Sequence, residues 1–481
     1  MNPVINKRLS YDAVVVGSGP NGLAAAITLA QAGKRTLVLE ARDRIGGGAR
    51  TDEITLPGFR HDLCSAVHPL AAASPFFQQI PLQRYGLNWI FAPAALVHPL
   101  DNGAAVLVTT SIEETALSFG TDAAAYRHLI QPLVRHWRAI LEDLLGPFPL
   151  QPRHPLPTAW FGLLALLPAH SLANLVFWGE RARAVFAGMA AHAAIPLRTP
   201  ATAAFGLLLM MLAHAVGWPI AQGGSQAIVD ALATHLAHLG GEIQVNTTVH
   251  SLDELPPSNA CLMDITPRQL IAIAGAQMTE SYRSALARYR YGPGVFKIDY
   301  ALDRPIPWAA PECTLAATLH LGGTAQEIEE AEQTVWAGKV AQRPFVLFGQ
   351  PSLFDPSRAP RGKHTAWAYC HVPNGSTVDM TEAIENQIER FAPGFRKHIL
   401  ARRTWNTAEM EAYNANYIGG DINGGIQDWR QLFTRPLHLI DPYQTPIPGL
   451  SLCSSATPPG GGVHGMCGHH AAQSALAKIK S

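Results

Sequence analysis

One stretch constrains this chain more than any other: Tyr11 to Val16, followed without a gap by Gly17-Ser18-Gly19-Pro20-Asn21-Gly22. The first six residues end in Val14-Val15-Val16 and read as a short buried parallel strand. Leu23 to Gln31 is helical in pattern, rich in small residues and closed by Gly33. Arg35 to Glu40 reads as a second strand. Strand, glycine turn, helix and strand in this order hold a dinucleotide. Gly17 makes the tight turn, Gly19 lets the backbone approach a pyrophosphate, and Gly22 lets helix and strand pack closely. The phosphates rest against N–H groups at the helix N-terminus. Glu40 lies 18 residues after Gly22, where a carboxylate accepts hydrogen bonds from ribose hydroxyls and repels a 2′-phosphate. The expected contacts here are Gly17, Ser18, Gly19, Pro20, Asn21, Gly22 and Glu40.

The next segment separates FAD from NAD. Ala41-Arg42 leads to Gly46-Gly47-Gly48-Ala49-Arg50-Thr51. A second glycine-rich turn with an Arg and a Thr, just after the ribose acid, is expected to wrap the far phosphate and ribityl chain of FAD, through Ala41, Arg42, Gly47, Gly48, Ala49, Arg50 and Thr51. With these residues in place, the sequence resembles the phytoene desaturase-like branch of the FAD-dependent amine oxidase superfamily. Phe59-Arg60-His61-Asp62, Ala66-Val67-His68-Pro69 and Asp264 to Leu270 extend the likeness, which covers nearly the whole chain. It is nearer to poorly characterised phytoene dehydrogenase-like oxidoreductases than to the carotenoid enzymes.

The resemblance implies that the FAD domain is gathered from separated pieces. A second piece opens at Gln222-Gly223-Gly224-Ser225, with Ser225 as expected N-cap and Ile228, Ala231, Leu232, His235, Leu236 and Leu239 at helical spacing. After Gly240-Gly241, the alternation Ile243, Val245, Thr247, Val249 predicts a strand over 242–249; the resemblance puts Val249 against the adenine. A third piece has a strand over 450–456, the turn Thr457 to Gly465, and a small-residue helix from about Met466 to Lys478. By the same likeness, Gly461, Gly462, Val463 and His464 meet the flavin, and the helix N-terminus faces its pyrimidine end, where a dipole stabilises the charge of the reduced ring. Two departures stand out. Ser454-Ser455 occupy a place where the family often has Gly or Ala, and the stretch from Val249 to Asp264 is too short for the usual long β-hairpin.

The expected fold class is α/β: a Rossmann-type, glutathione reductase-like FAD-binding domain interleaved with a mixed α+β substrate domain. The first should gather 1–70, 220–275 and 430–481, and the second 71–219 and 276–429, with an apolar helical part. In a chain of 481 residues, 48% are apolar and 15% charged, so a large core is available. Lys+Arg and Asp+Glu are both 36, which excludes the basic footprint of a nucleic-acid binder. No two of the six cysteines have CxxC spacing, so neither a zinc knuckle nor a redox dithiol is written here. His469 and His470 are adjacent on a helix and point apart, and no metal site is expected. No secretory signal is read, so the cytoplasm is the expected location.

Two apolar runs, Ala159 to Trp178 and Ala201 to Ala221, carry three readings: helices walling an apolar cavity, membrane spans, or a surface in peripheral contact with a membrane. The expected function is an FAD-dependent dehydrogenase, desaturase or oxidase of an apolar small molecule, working by hydride transfer to flavin N5, with electrons leaving to oxygen, a quinone or another carrier. The flavin supplies the chemistry and the protein the geometry, so no triad is required and none is found. His464 and His68 are the candidates for contact with flavin or substrate, and Asn423, in the glycine-rich loop Ile418 to Gly425, for orienting the substrate. Two other readings remain open. One is an amine oxidase, for which Lys297 is a candidate lysine near N5; the other is a non-redox isomerase or interaction protein that keeps FAD as a structural group.

Overall fold

The computed structural model describes residues 10–147, 152–437 and 439–479. The expected segment 1–70 is therefore described from residue 10, and 430–481 up to 479 without 438. Two sheets organise these residues. The first has five parallel strands in the order Leu450–Leu452, Ser258–Met263, Tyr11–Val16, Thr36–Leu39, Glu242–Gln244. Its central strand is fully flanked, which is why the run Ala13 to Val16 is apolar and buried, with half-buried Asp12 the one charged residue of the strand. Three long helices, Pro20–Gln31, Gln226–His238 and Met466–Ile479, pack together on this sheet through small side chains such as Ala24, Ala25, Ala231 and Ala471.

The second sheet has seven strands in the order Ile399–Trp405, Gly294–Leu302, His364–Val372, Val346–Gly349, Thr318–Leu321, Leu96–Pro99, Ala105–Val108. Only the contact between Leu96–Pro99 and Thr318–Leu321 is parallel. One face carries Ile298, Tyr300, Phe348 and Ala368 against the helix Thr381–Phe391. The other carries Leu347 and Trp367 under a helical layer that includes Pro155–Ala165, Ala169–Val176, Glu180–Ala190 and Ala203–Ala215.

Several local expectations are corrected. The strand predicted over 242–249 ends at Gln244, because Asn246 takes a left-handed backbone with φ 56°. The chain bends there to bracket Glu40: Asn246 N–H donates to Arg42 O at 2.7 Å and Thr247 N–H to Glu40 O at 2.8 Å. The strand over 450–456 likewise stops at Leu452. Ser225 precedes its helix but does not cap it; its hydroxyl donates to Ser65 O at 2.6 Å.

The two apolar runs part company. Leu207, Met210 and Met211 are fully buried, while Leu164, Leu167 and Leu208 are half-buried against the same core. Leu163 and Leu166 are 69% and 55% exposed, so they are not part of a cavity wall. No single helix among the described residues is long and apolar enough to cross a membrane; the pair Pro155–Ala165 and Ala169–Val176 is bent by 97°.

Candidate functional site

A cavity of about 490 Å³ runs between the two sheets. The glycine turn after the first strand opens onto it: Gly17, Ser18, Gly19, Pro20 and Asn21 all line it. Gly22 lies behind the turn. A Cβ there would stand 2.1 Å from Gly17 O, so only glycine lets the helix start this close to the strand. Its N–H donates to Asp264 Oδ2 at 3.0 Å.

Glu40 lines the cavity with a fully engaged carboxylate. Oε2 accepts from Ser18 N at 3.0 Å and from the Ser18 hydroxyl; Oε1 accepts from Arg42 N at 2.9 Å and from Arg50 Nη2 at 3.5 Å. Those four donors fill a carboxylate's capacity. A ribose hydroxyl binding Glu40 therefore replaces the Ser18 hydroxyl, the one donor free to rotate away. Ala41, Arg42, Gly47, Gly48, Ala49 and Arg50 line the same region, as does Val249. Thr51 does not: its hydroxyl donates to Asp62 Oδ1 at 2.7 Å and accepts from Gln226 N at 3.1 Å, tying the turn to the second piece of chain.

From the C-terminal turn, Gly462 and Val463 line the cavity, joined by Asn423 from the glycine-rich loop. Gly461 is turned against Asn423 O, and His464 is fully buried outside the lining. Its Nδ1 accepts from Met466 N at 3.0 Å and so caps the last helix, while its carbonyl accepts from Ser74 Oγ at 2.6 Å. Burial pushes its imidazole down to about 4 against the pull of the Gly460 and Gly461 carbonyls. The sequence places His464 next to cavity residues; the structure gives it the work of holding the helix end.

His68 does line the cavity. Ser225 Oγ spends its proton on Ser65 O, so at 2.8 Å it accepts from His68 Nε2–H. Nδ1 is left as a bare lone pair with no protein partner. Burial lowers this imidazole to about 4, with the Asp62 carboxylate opposing and the Arg358 cation adding to the shift. His68 is therefore a neutral hydrogen-bond acceptor near pH 7. Lys297 is buried outside the lining and is paired with Asp299 on the same strand.

Sequence reasoning passed over Asp264 as a site residue. It ends the strand Ser258–Met263 at the rim of the parallel sheet, where ligands of such sheets bind; that topological rule was the available signal. Burial pushes its carboxyl up to about 7, with the charge of Glu40 adding and the Gly22 N–H opposing. The far end was foreseen in part. Leu209 and Trp218 come from the apolar run Ala201 to Ala221, expected to wall a cavity; His192, Thr318, Leu347, Trp367 and Tyr369 were not named, being scattered over separate elements with no motif among them.

Four lining residues hold a buried polar atom without a protein partner: Asn21 Oδ1, His68 Nδ1, Thr318 Oγ1 and Asn416 Oδ1. Buried polar atoms are normally paired, so a cavity edged by such atoms suits a long ligand with polar groups along it. The charged lining residues, Glu40, Arg42, Arg50 and Asp264, all sit at the glycine-turn end. These residues fit an FAD laid from that end towards Val463. Among the described residues, no group of His, Cys, Asp or Glu could hold a metal ion, and all six cysteines are free.

Known proteins agree with this geometry. Residues 15–80 match a family model described as an NAD(P)-binding Rossmann-like domain. The mouse pyridine nucleotide-disulfide oxidoreductase domain-containing protein 2 is 27% identical, over 98% of this chain and 94% of its own. A phytoene desaturase of Fusarium fujikuroi is 26% identical over 73% of this chain and 64% of its own. Among solved structures, an oxidoreductase from Methanosarcina mazei superposes with a TM-score of 0.66 at 16% identity, covering 98% of this chain and 100% of its own. Putrescine oxidase bound to putrescine superposes with a TM-score of 0.62 at 17% identity, covering 98% and 100%. Fold and site together define an FAD-dependent oxidoreductase. Within that class, the likeness read from the glycine turns holds: relatives named phytoene desaturase or dehydrogenase are 26% and 27% identical over 73% and 75% of the chain, and amine oxidases share its fold.

Proposed function

We propose that this FAD-dependent oxidoreductase takes a hydride from a C–H bond of an apolar organic substrate lying at the far end of the cavity. The reading rests on how charge is distributed along one continuous cavity. Every formally charged lining residue is at the glycine-turn end, and the far end is walled by indole, phenol and aliphatic side chains with one threonine and one neutral imidazole among them. Bound FAD would supply the two-electron acceptor at N5. Gly17 to Asn21, with Gly47 to Arg50, hold the phosphates; Glu40 takes the ribose; Val249 lies along the adenine; Gly462 and Val463 meet the ring. Trp218, Trp367 and Leu347 exclude water from the substrate, and His68 Nδ1 offers a hydrogen-bond acceptor. Of the described residues, the FAD-binding part gathers 10–70, 220–275, 430–437 and 439–479 around the five-stranded sheet, and the substrate part gathers the others around the seven-stranded one.

An amine oxidase is favoured by one observation, the near-parallel rings of Trp367 and Tyr369, 6.1 Å apart at 20°. Against it stands Lys297, which is not in the cavity lining and whose ammonium is tied to Asp299. Anaerobic titration of the flavin spectrum decides. Long-chain or polyene compounds should bleach it and small amines should not. The opposite pattern replaces this reading by the amine oxidase, and bleaching by neither class favours a non-redox role.

Access of such substrates is served by the outer face of Pro155–Ala165 and Ala169–Val176, which we assign to contact with an anionic lipid surface. Leu156, Trp160, Leu163, Leu166, Leu175 and Trp178 are exposed there. No Asp, Glu, Lys or Arg interrupts 155–178; exposed Arg153 flanks it on one side, and exposed Glu180 and Arg181 on the other. Both helices pack on Ala203–Ala215, which supplies Leu209 to the cavity wall. Flotation with anionic vesicles should carry the wild type and leave a Leu163→Ser, Leu175→Ser variant behind. Equal recovery of both would end this assignment.

A further inference from the structure

The far end of the cavity is not wholly apolar. Thr318 and His320 sit two apart on the strand Thr318–Leu321 and therefore share a face. Register places Thr318 opposite Gly349 and Trp367, and His320 opposite Leu347 and Tyr369. These two rows pave the sheet face under the helical layer. Gly349 is required in the first row: a Cβ there would stand 2.1 Å from the Trp367 indole. Gly188 on the helix above makes room for the His320 ring, since a Cβ would stand 2.7 Å from its Nδ1. His320 Nε2 meets His192 Nε2 at 3.0 Å, and His192 is only half-buried and lines the cavity.

The hydrogen-bond network assigns the protons. His320 Nδ1 is buried without a partner. An orphaned lone pair is less costly than an orphaned N–H, so the His320 proton sits on Nε2 and is donated to His192 Nε2. His192 is then protonated on Nδ1 and presents an N–H with no protein partner among the described residues. Thr318 Oγ1 is the other group in this wall, buried and unpartnered. Both imidazoles are neutral near pH 7: burial lowers His192 to about 3, with His371 adding, and holds His320 well below the usual imidazole range, with His192 and His98 adding.

We propose that Thr318 and His192 form a two-donor anchor for a neutral oxygen, a carbonyl or hydroxyl, on an otherwise apolar substrate. His320 acts as the positioning residue that fixes the His192 tautomer. The inference rests on the reading of the cavity's far end as the substrate chamber. A pure hydrocarbon leaves both donors unsatisfied. An ammonium meets donors and no carboxylate, because no lining residue at this end is acidic. The bound oxygen would fix which carbon of a featureless chain is presented for oxidation.

The test uses the flavin-loaded protein and four ten-carbon probes: decane, a decanone, decylamine and decanoate. Calorimetry should show the decanone binding about tenfold more tightly than decane or decylamine, as two neutral hydrogen bonds allow. Decanoate should gain nothing over decane, with no cation to receive it. Thr318→Val should remove about half of the preference in free-energy terms and His192→Phe the remainder, with decane affinity and flavin content unchanged. Equal affinities for decane and decanone in the wild type overturn the anchor, as does a preference that Thr318→Val leaves undiminished. Where His192→Phe fails to fold, Thr318→Val carries the test alone. Anaerobic bleaching is recorded on the same samples. If no probe bleaches the flavin while the decanone preference holds, the redox reading falls and the anchor stands.

Discussion

The two ends of the cavity solve opposite problems. The glycine-turn end brings backbone within contact distance of a highly charged ligand and tolerates side chains badly. There, Asp264 holds the Gly22 N–H, Glu40 pairs with Arg50, and a single methyl group at Gly22 would strike Gly17 O. The far end is built from large side chains on a rigid sheet, with polarity reduced to a threonine and a histidine pair. The first end leaves its ligand little choice; the second sets apolar bulk by a few replaceable side chains. Cofactor identity is thus written in backbone and substrate preference in side chains, so the two should respond independently to substitution.

The sharpest break comes from Gly19→Val. The added Cβ would stand 2.9 Å from Asp264 Oδ2, in the wall that the phosphates approach. The absorbance ratio of flavin to protein should fall below about one tenth of wild type, since the turn depends on close backbone approach. A variant purified with full flavin would dissolve the distinction between the two ends. Leu209→Trp fills the other end instead. Flavin content should stay level while decanone affinity drops about tenfold by calorimetry, an overpacking cost of about 1–3 kcal/mol. Loss of flavin from this variant would mean that the ends are coupled.

The smallest effect concerns Asp264. Its folded carboxyl holds a proton up to about pH 7, whereas an unfolded chain releases it near about pH 4. Its contribution to stability is therefore complete below about pH 4 and is lost as the pH rises to 7. Asp264→Asn keeps an acceptor for Gly22 N–H without the titration. It should melt a few degrees, about 2–4 °C, above wild type near pH 8 and level with it near pH 4. A constant offset across that range would show that the carboxyl is not held neutral.

The glycine-turn end was legible because its constraints are local. Gly17, Gly19, Gly22 and Glu40 act within one βαβ unit, and their spacing is the geometry. Where a local pattern met a distant partner, it misled. The alternation from Ile243 to Val249 is interrupted because the backbone wraps Glu40. Ser225 has the chemistry of a cap, but Ser65 and His68 occupy its hydroxyl. His464 adjoins cavity residues in sequence, yet its ring turns back to Met466 N. Leu163 and Leu207 sit in equally apolar runs and end on opposite sides of the protein boundary, a difference set by which helix lies outermost. Thr318 and His192 are 126 positions apart, and only strand register and helix packing bring them to one wall.

The order of strands in the five-stranded sheet has a consequence for how the chain is made. Tyr11–Val16 needs Thr36–Leu39 on one side and Ser258–Met263 on the other. The first neighbour follows at once, but the second leaves the ribosome about 240 residues later, roughly 10–50 s at ordinary translation rates. Over that interval the strand Tyr11–Val16 has one open edge of unpaired backbone N–H and C=O groups, and Leu450–Leu452 completes the sheet only near the end of synthesis. Slow translation of the middle of the gene, or scarcity of a holdase chaperone, should therefore be felt first as aggregation of nascent chains, well before it shows in the stability of finished ones.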